Sequence, residues 1–317
     1  MQNYRNFFGC RYPIVAVAMN QVSNVDLAIA VTRAGGFASI SVFNYYVAKG
    51  VIGWDLVQSE LQRYQDAIGN CNFIFSFDTG FIQGPRSQIV ELISKFKISH
   101  VEIIGVDIDQ QDSATLANIH HWLSYLQDNG TKIILKTVDY PHDARAWAFW
   151  DNGQRCVDAI GLKGPAAAGR VMETDLTLEQ LVQQAVNDFP TIPVISVGGI
   201  GTKEDVQRLM DLGVMAVGAG TIFAVSKESP VSQEAKLKMI SANSSQLSKL
   251  NTDNLKQNAL KFSEFNQPDN TNNTLSLRAG IKTGTQGHIF AGRAINDITE
   301  ILPVNIIIES LFDQTKH

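Results

Sequence analysis

The sequence predicts an α/β protein, a (β/α)8 TIM barrel followed by a C-terminal helical extension, and two regularities support this prediction. Short runs of β-branched and apolar residues alternate along the chain with segments whose apolar residues recur at helical spacing. Strict alternation implies a parallel sheet, and eight strands close a barrel. Several strands are apolar almost throughout, as expected when both faces are buried. The predicted strands are Ile14–Met19, Phe37–Val42, Asn72–Phe77, Val101–Val106, Lys132–Thr137, Asp158–Leu162, Val194–Val197 and Val214–Gly218.

Amphipathic segments separate these strands and are predicted to be helices. The last of them, Thr202–Leu212, begins at a threonine suited to N-capping and is followed by Gly213, a typical C-terminal stop. The other predicted barrel helices are Asn24–Ala34, Asp55–Ile68, Ser87–Phe96, Ser113–Asp128, His142–Trp150 and Thr177–Asp188.

The alternation ends after the eighth strand. We expect one barrel domain over residues 1–225 and an extension over residues 226–317 that packs on the barrel without forming a separate domain. Within the extension, Ser232–Asn243 and Asp253–Phe265 are predicted helices because Lys, Glu and Gln alternate with larger apolar residues. A last helix is expected over Asn296–Phe312, broken near the proline inside it.

Composition and charge narrow the class of protein. The 317 residues are 44% hydrophobic, enough for a sizeable core, and the net charge of -5 argues against a nucleic-acid partner. No apolar run has membrane-spanning length, so no membrane partner is expected. Three widely spaced cysteines and no histidine pair at ligand spacing argue against disulfides and a metal site. Reduced thiols without a signal peptide are typical of a cytoplasmic protein.

Two glycine turns near the end of the predicted barrel indicate a phosphate site. Gly198-Gly199 follows one predicted strand, and the run from Gly218 through Gly220 to Thr221 ends the next. The loops after the last two strands of such barrels form the usual phosphate pocket. Glycine allows close backbone approach, and amides at a helix N-terminus favour an anion. Thr221 is suited equally to a phosphate contact and to helix capping.

Three further residues are candidates for the barrel mouth. Lys136 ends the fifth predicted strand and Lys163 follows the sixth, so an anionic ligand would explain both, although solvated lysines on the rim explain them equally well. His288 lies in the glycine-containing segment Lys282–His288, which either folds over the mouth or leaves the histidine mobile on the surface.

Several short motifs of this chain occur in the same order in one known family. They are Tyr12–Met19, Leu27–Gly36, Ile192–Ile195, Gly198–Ile200, Gly220-Thr221 and Ala291-Gly292.

With these motifs the chain resembles the nitronate monooxygenases, also called 2-nitropropane dioxygenases, which are FMN-dependent βα barrels. The resemblance covers most of residues 12–225 and, weakly, the tail. It implies a flavoprotein that acts on a small molecule, with NAD(P)H or molecular oxygen as the electron partner. A homo-oligomer is compatible with the sequence.

The resemblance also implies which residues hold the cofactor. Ala18, Met19 and Asn20 would line the flavin ring, and the glycine turns would hold the FMN phosphate. Ser76 falls where the family often has an asparagine, and Lys136 falls near a position that contacts the polar edge of the ring. The expected cofactor-binding residues are Ala18, Met19, Asn20, Ser76, Lys136, Lys163, Gly198, Gly199, Gly218, Gly220 and Thr221.

One departure from the family pattern affects the chemistry. Family members carry a Glu-Ala-Gly-Gly-His stretch after the sixth strand, and its histidine is the catalytic base that the resemblance implies. Here Ala166 stands in the place of the glutamate and Arg170 in the place of the histidine. A guanidinium stays protonated and cannot act as a base, but it pairs well with carboxylate, nitronate or phosphate. The candidate catalytic residues are therefore Arg170, Lys136 and His288.

Three functions follow from these features. The first is an FMN-dependent oxidoreductase that oxidises a small, anionic, nitronate-like substrate, since a nitronate is already deprotonated. The second is an enoyl thioester reductase that uses FMN and NAD(P)H. The third is a flavin-binding barrel that has lost catalysis, for which the missing histidine is the reason. A barrel that binds a phosphorylated substrate without flavin is a further alternative.

Overall fold

The predicted alternation is present in the computed structural model, which describes residues 4–48, 51–78, 86–104, 112–137, 139–149, 153, 155–171, 173–252, 255–262 and 273–312. The strands are β1 (Ile14–Ala16), β2 (Ser39–Ser41), β3 (Tyr46–Ala48), β4 (Val51–Ile52), β5 (Ile74–Asp78), β6 (His100–Ile104), β7 (Lys132–Thr137), β8 (Ala159–Lys163), β9 (Gly169–Val171), β10 (Val194–Val197), β11 (Ala216–Ala219), β12 (Leu247–Thr252), β13 (Leu255–Lys261) and β14 (His288–Phe290). The helices are α1 (Tyr4–Phe8), α2 (Val25–Arg33), α3 (Trp54–Ile68), α4 (Arg86–Phe96), α5 (Ser113–Asp128), α6 (His142–Trp147), α7 (Leu178–Asp188), α8 (Lys203–Asp211), α9 (Thr221–Ala224), α10 (Gln233–Ser241), α11 (Asn273–Thr283) and α12 (Val304–Phe312).

The eight predicted barrel strands form one parallel sheet that closes on itself. The strand order is β1, β11, β10, β8, β7, β6, β5 and β2. Backbone hydrogen bonds join the two edges, since the Ala16 amide donates to the Phe37 carbonyl at 2.9 Å and the Phe37 amide donates to the Ile14 carbonyl at 2.8 Å. Each edge strand therefore has a partner, and the predicted TIM barrel is confirmed.

The barrel helices begin where side chains satisfy the free amides of their first turns. Thr202 and Asp205 form a reciprocal capping box at the start of α8, and Thr177 forms another with Gln180 at α7. The inward faces are apolar, as in α8, where Val206 and Leu209 are buried. Among the helices within the described ranges, none combines the length and apolar character needed to cross a bilayer.

The N-terminal helix α1, which the sequence analysis missed, covers the end of the barrel opposite the carboxyl ends of its strands. Phe8 is buried and belongs to the cluster inside the barrel, where its ring lies 4.5 Å from that of Phe37 and 5.4 Å from that of His100. The His100 Nε2 lies 2.9 Å from the Phe7 carbonyl oxygen, so a polar side chain ties α1 to β6.

The extension corrects one prediction. Asp253–Phe265 was predicted to be helical, but its described part contains β13, which pairs antiparallel with β12, β14 and β9. The helix prediction is wrong because Lys256, Gln257 and Asn258 pair with β9, at Gly169–Val171, and that pairing over a long sequence distance overrides local propensity.

The remaining described part of the extension contains α11, β14 and α12. The last helix was predicted over Asn296–Phe312, but α12 begins only after Pro303, and a 3-10 turn over Arg293–Asp297 and non-helical residues precede it. The glycine-containing segment Lys282–His288 is the connection between α11, which ends at Thr283, and β14, which begins at His288. The helix α12 contacts the barrel helices α2 and α8.

We expect Phe8→Ala to lower the free energy of unfolding by about 3–5 kcal/mol, because a fully buried aromatic ring leaves a cavity. Urea denaturation measures this change. Asn6→Ala, on the exposed side of the same helix, is the matched control and is expected to change stability little. Equal stability of the Phe8 variant and the parent would show that α1 does not cover the barrel core.

The buried histidines predict loss of stability in acid. Burial lowers the pKa of His100 to about 4, and burial lowers that of His288 to about 4 as well. Below the ordinary pKa of about 6.5 the unfolded chain binds protons that the folded chain does not. Stability therefore falls as pH drops from 6.5 to 4, by about 2–3 kcal/mol per histidine.

Unfolding free energies measured across this pH range test the prediction. His100→Gln, which retains a donor for the Phe7 carbonyl, is expected to make the pH dependence shallower. His121→Gln on the exposed face of α5 is the control and is expected to leave the slope as in the parent. An unchanged slope in the His100 variant would contradict the assignment.

Candidate active site

A cavity of about 460 Å³ opens at the carboxyl ends of the barrel strands. This volume lies in the range of about 300–1,000 Å³ typical of small-molecule sites, and the position is that of active sites in TIM barrels. The cavity brings together most of the residues predicted from the sequence, which are Ala18, Met19, Asn20, Ser76, Lys136, Lys163, Arg170, Gly198, Gly199, Gly220 and Thr221.

The two glycine turns present free backbone amides to this cavity. The amides of Gly199, Gly220 and Thr221 donate no hydrogen bond within the part of the chain that the structure describes. Gly198 has a φ of +94°, and a Cβ there would lie 2.3 Å from the Cβ of Ala167. Only glycine fits this position, because both the left-handed backbone and the close neighbour exclude a side chain.

Gly218 has a different place from the other turn glycines. It lies in β11, outside the residues that line the cavity, and a Cβ there would come within 2.8 Å of Val17. The structure therefore does not bring Gly218 to the cavity, and the space it leaves is filled by the neighbouring strand.

The turns are held from behind by the C-terminal segment. Thr221 Oγ1 accepts a hydrogen bond from the Gly292 amide at 3.1 Å, which leaves the hydroxyl proton of Thr221 free to donate. Arg293 donates to the Gly199 carbonyl and to the Asp205 carboxylate, both at 2.7 Å. The segment after β14 thus fixes both glycine turns in one arrangement.

A buried ion pair lies at the bottom of the cavity. Lys136 Nζ donates to Glu102 Oε1 at 3.1 Å, and Ser76 Oγ donates to the same oxygen at 2.8 Å. The side chains of Lys136 and Glu102 are only 9% and 5% exposed, so removing either charge would leave the other buried and unpaired. The sequence analysis missed Glu102, although an acidic residue inside the apolar strand β6 is an unusual signal that could have indicated it.

Lys163 stands beside this pair without joining it. It is the last residue of β8 and lines the cavity, and its side-chain amine makes no hydrogen bond or ion pair within the described ranges. Burial lowers the pKa of Lys163 to about 7, and the positive charges of Lys136 and Arg170 act in the same direction. The nearby Glu102 opposes this shift only in part. Both protonation states of Lys163 are therefore populated near neutral pH.

Arg170 is positioned by the antiparallel sheet of β9, β12, β13 and β14 at the barrel mouth. It lies on β9 directly opposite Gln257 of β13, and both residues line the cavity. Asn258, the next residue of β13, donates to the carbonyls of Pro165 and Ala167 at 3.0 and 2.8 Å. The sequence analysis missed Gln257, because its position depends on the pairing of β13 with β9.

His288 is not brought to the cavity. It is buried in β14, its Nδ1 lies 2.9 Å from Ser276 Oγ, and it is absent from the lining residues. Because burial holds its pKa at about 4, His288 is neutral at physiological pH. The cationic groups that reach the cavity are thus Lys136, Lys163 and Arg170, and no Asp or Glu is among the described lining residues.

Two solved structures share the fold of this chain. FabK from Thermotoga maritima superposes with a TM-score of 0.77 at 23% identity, over 97% of this chain and 93% of that chain. Nitroalkane oxidase from Streptomyces ansochromogenes superposes with a TM-score of 0.70 at 18% identity, over 97% of this chain and 96% of that chain. At these identities the similarity shows a shared fold.

One curated relative aligns over a shorter part of the sequence. Thiazole synthase from Magnetococcus marinus is 31% identical over 103 residues, which are 32% of this chain and 29% of that protein. The chain thus spans less than a third of the length of this relative.

The family comparison extends over more of the chain. The model of the nitronate monooxygenase family matches residues 144–314, which include β8 to β14, both glycine turns, Arg170 and the C-terminal segment that holds the turns. The match covers more than half of the sequence and the described residues from Lys163 to Thr221 that line the cavity. The chain therefore belongs to the nitronate monooxygenase family.

Proposed function

We propose that the protein is an FMN-dependent oxidoreductase that oxidises a small, anionic, nitronate-like substrate at the barrel mouth. The observation that carries the proposal is the gathering of two kinds of anion-binding group in one cavity. Unpaired amides come from the glycine turns after β10 and after β11, and the cationic side chains of Lys136, Lys163 and Arg170 come from β7, β8 and β9. Family membership supports the same class of reaction.

The residues present fit FMN. The free amides of Gly199, Gly220 and Thr221, together with the Thr221 hydroxyl, suit a phosphate group. A side chain at Gly198 would clash with Ala167 and deform the first turn. Of the other predicted contacts, Ala18, Met19 and Asn20 would hold the flavin ring from the end of β1, and Ser76 and Lys136 from the bottom of the cavity.

Bound FMN would accept electrons from the substrate, and the side chains of this chain would bind and orient the substrate. Arg170 offers a planar pair of donors to the two oxygens of a nitronate. The Lys136 amine donates to Glu102, and the same oxygen of Glu102 accepts a hydrogen bond from Ser76, so the position of the amine is fixed before substrate arrives. Such fixed charge in a partly enclosed site stabilises an anion without reorganisation of the protein.

Arg170 also restricts the reaction. Because a guanidinium does not release its proton, Arg170 cannot remove a proton from carbon. A nitronate has already lost that proton, so its oxidation fits a site with arginine in place of the family histidine.

A second candidate is the reduction of an enoyl thioester with NAD(P)H. It is favoured by structural similarity to the enoyl reductase domain of MlnA from Bacillus amyloliquefaciens, with a TM-score of 0.64 at 15% identity over 82% of this chain and 66% of that chain. A barrel that binds flavin without turnover is the third outcome.

The phosphate assignment predicts the behaviour of Thr221 variants. We expect the purified protein to be yellow, and Thr221→Val to raise the Kd for FMN about tenfold or more, because a hydrogen bond to a charged group is lost. Thr221→Ser keeps the hydroxyl and is the matched control, expected to bind FMN as the parent does. Flavin fluorescence titration measures the Kd, and urea denaturation shows whether loss of the Gly292 contact lowers stability. A colourless parent that does not take up FMN would overturn the proposal.

The two candidate reactions predict different half-reactions. We expect a preformed nitronate to reduce the bound flavin without oxygen, and Arg170→Met to raise the KM for nitronate because the substrate loses its charged partner. Stopped-flow absorbance with nitronate, and separately with NAD(P)H, distinguishes the candidates. Rapid bleaching by NAD(P)H followed by turnover of an enoyl thioester would favour the reductase. No reaction with either substrate would indicate the barrel without turnover.

A further inference from the structure

Lys163 is the last residue of β8 and Lys136 the next to last residue of the neighbouring β7, but the two amines have different surroundings. Lys136 is paired with Glu102 at 3.1 Å, whereas Lys163 has no such partner within the described residues. A Cβ placed on Gly169 would lie 3.7 Å from Lys163 Nζ, so the amine lies against the backbone one residue before Arg170. The amine is thus next to the position where the family pattern has its histidine.

The charged groups that act on this amine come from three neighbouring elements. Lys136 from β7 and Arg170 from β9 are positive, and Glu102 from β6 is negative but already accepts hydrogen bonds from Lys136 and Ser76. Burial is the largest influence and also favours the neutral amine. A neutral amine has a lone pair and can accept a proton, which Arg170 cannot do.

We propose that Lys163 is the proton-transfer residue of this site and removes the proton from the carbon that bears the nitro group of a neutral nitroalkane. This inference rests on the proposed substrate class. In the step, the carbon–hydrogen bond breaks and its electron pair moves into the nitro group, giving a nitronate. The proton forms a new bond to the lone pair of Lys163 Nζ, giving an ammonium, and later passes to water.

The charges before and after this step fit the cavity. A neutral substrate and a neutral lysine become an anion and a cation, and the new anion lies among Lys136, Lys163 and Arg170. The pKa of Lys163 at about 7 also lies near working pH, where a general base is most effective. Arg170 binds the nitronate oxygens, and Lys163 exchanges the proton.

Deuterium exchange tests the step apart from any flavin chemistry. Nitroethane is incubated with the purified protein in deuterated buffer without oxygen, and proton NMR follows loss of the signal from the carbon that bears the nitro group. We expect exchange above the buffer rate, increasing with pH through a midpoint near 7. Lys163→Met and Lys163→Arg are expected to lower the protein-catalysed rate by about 100-fold or more. Exchange in either variant at the parent rate, or no exchange in the parent, would overturn the proposal.

Two controls separate this proposal from the proposed function. Lys249→Met removes an exposed lysine on β12 outside the cavity and is expected to exchange as the parent does. Lys163→Arg keeps a positive charge but has no basic lone pair, so its activity on nitroethane is expected to fall at least tenfold more than its activity on preformed nitronate. Nitronate oxidation without exchange in the parent would overturn the role of Lys163 and leave the proposed function intact. Exchange without nitronate oxidation would overturn the proposed function alone.

Titration of the lysines in the parent protein tests the proposal even if a Lys163 variant fails to fold. The lysines are dimethylated with 13C-formaldehyde, and carbon NMR follows their methyl signals with pH. We expect one signal to titrate near pH 7 and to be absent in Lys163→Arg. If every methyl signal titrates only in the ordinary lysine range, the proton-transfer role is wrong.

Discussion

The cluster around Asp205 is the interaction on which the site most depends. The Asp205 carboxylate accepts hydrogen bonds from the amides of Gly201 and Thr202 at 3.0 and 3.1 Å. It also forms ion pairs with Arg208 and Arg293. Burial alone would raise the pKa of Asp205, but these hydrogen bonds and the charge of Arg293 outweigh it and lower the pKa. The carboxylate is thus ionised, and it joins the first glycine turn, the start of α8 and the C-terminal segment.

This cluster explains why the first turn leaves amides for a ligand. The Gly201 and Thr202 amides, just before α8, donate to Asp205, whereas the Gly199 amide donates no hydrogen bond within the described residues. Arg293 bridges Asp205 and the Gly199 carbonyl and so holds the Gly199–Ile200 peptide group, which directly follows the free Gly199 amide. The glycine of the family motif Ala291-Gly292 also has a structural reason. A Cβ on Gly292 would come within 2.6 Å of the Ala166 carbonyl oxygen.

The barrel could be predicted from the sequence because its strands and helices are specified by local residue patterns. Each barrel strand is a short apolar run, and each helix has an apolar face with a capping residue, so periodicity alone located them. Lys136 and Lys163 were found for the same reason, since the end of a parallel strand is also the end of the apolar run. The phosphate-binding role of the glycine turns was predicted from one rule, that the loops after the last two strands of such barrels bind phosphate.

The parts that the sequence did not predict depend on contacts between distant segments. The strand character of β13 comes from pairing with β9, about ninety residues earlier, and the position of Gln257 follows from it. His288 was expected in a flexible segment, but pairing of β14 with β13 buries it away from the cavity. Glu102 is not predicted by the rule that functional residues follow the strands of a barrel, because its side chain acts from within β6.

Replacement of a histidine by Arg170 changes what the rest of the site has to provide. A histidine combines two properties, a positive charge for an anion and a proton that can be exchanged near neutral pH. Arginine keeps only the charge, and the Lys136 amine is already engaged, since it donates to Glu102 at 3.1 Å. Lys163 has no carboxylate partner within the described residues, so its burial beside two cations favours the neutral form. The two properties of one histidine are thus divided between Arg170, on the sheet over the mouth, and Lys163, at the end of a barrel strand.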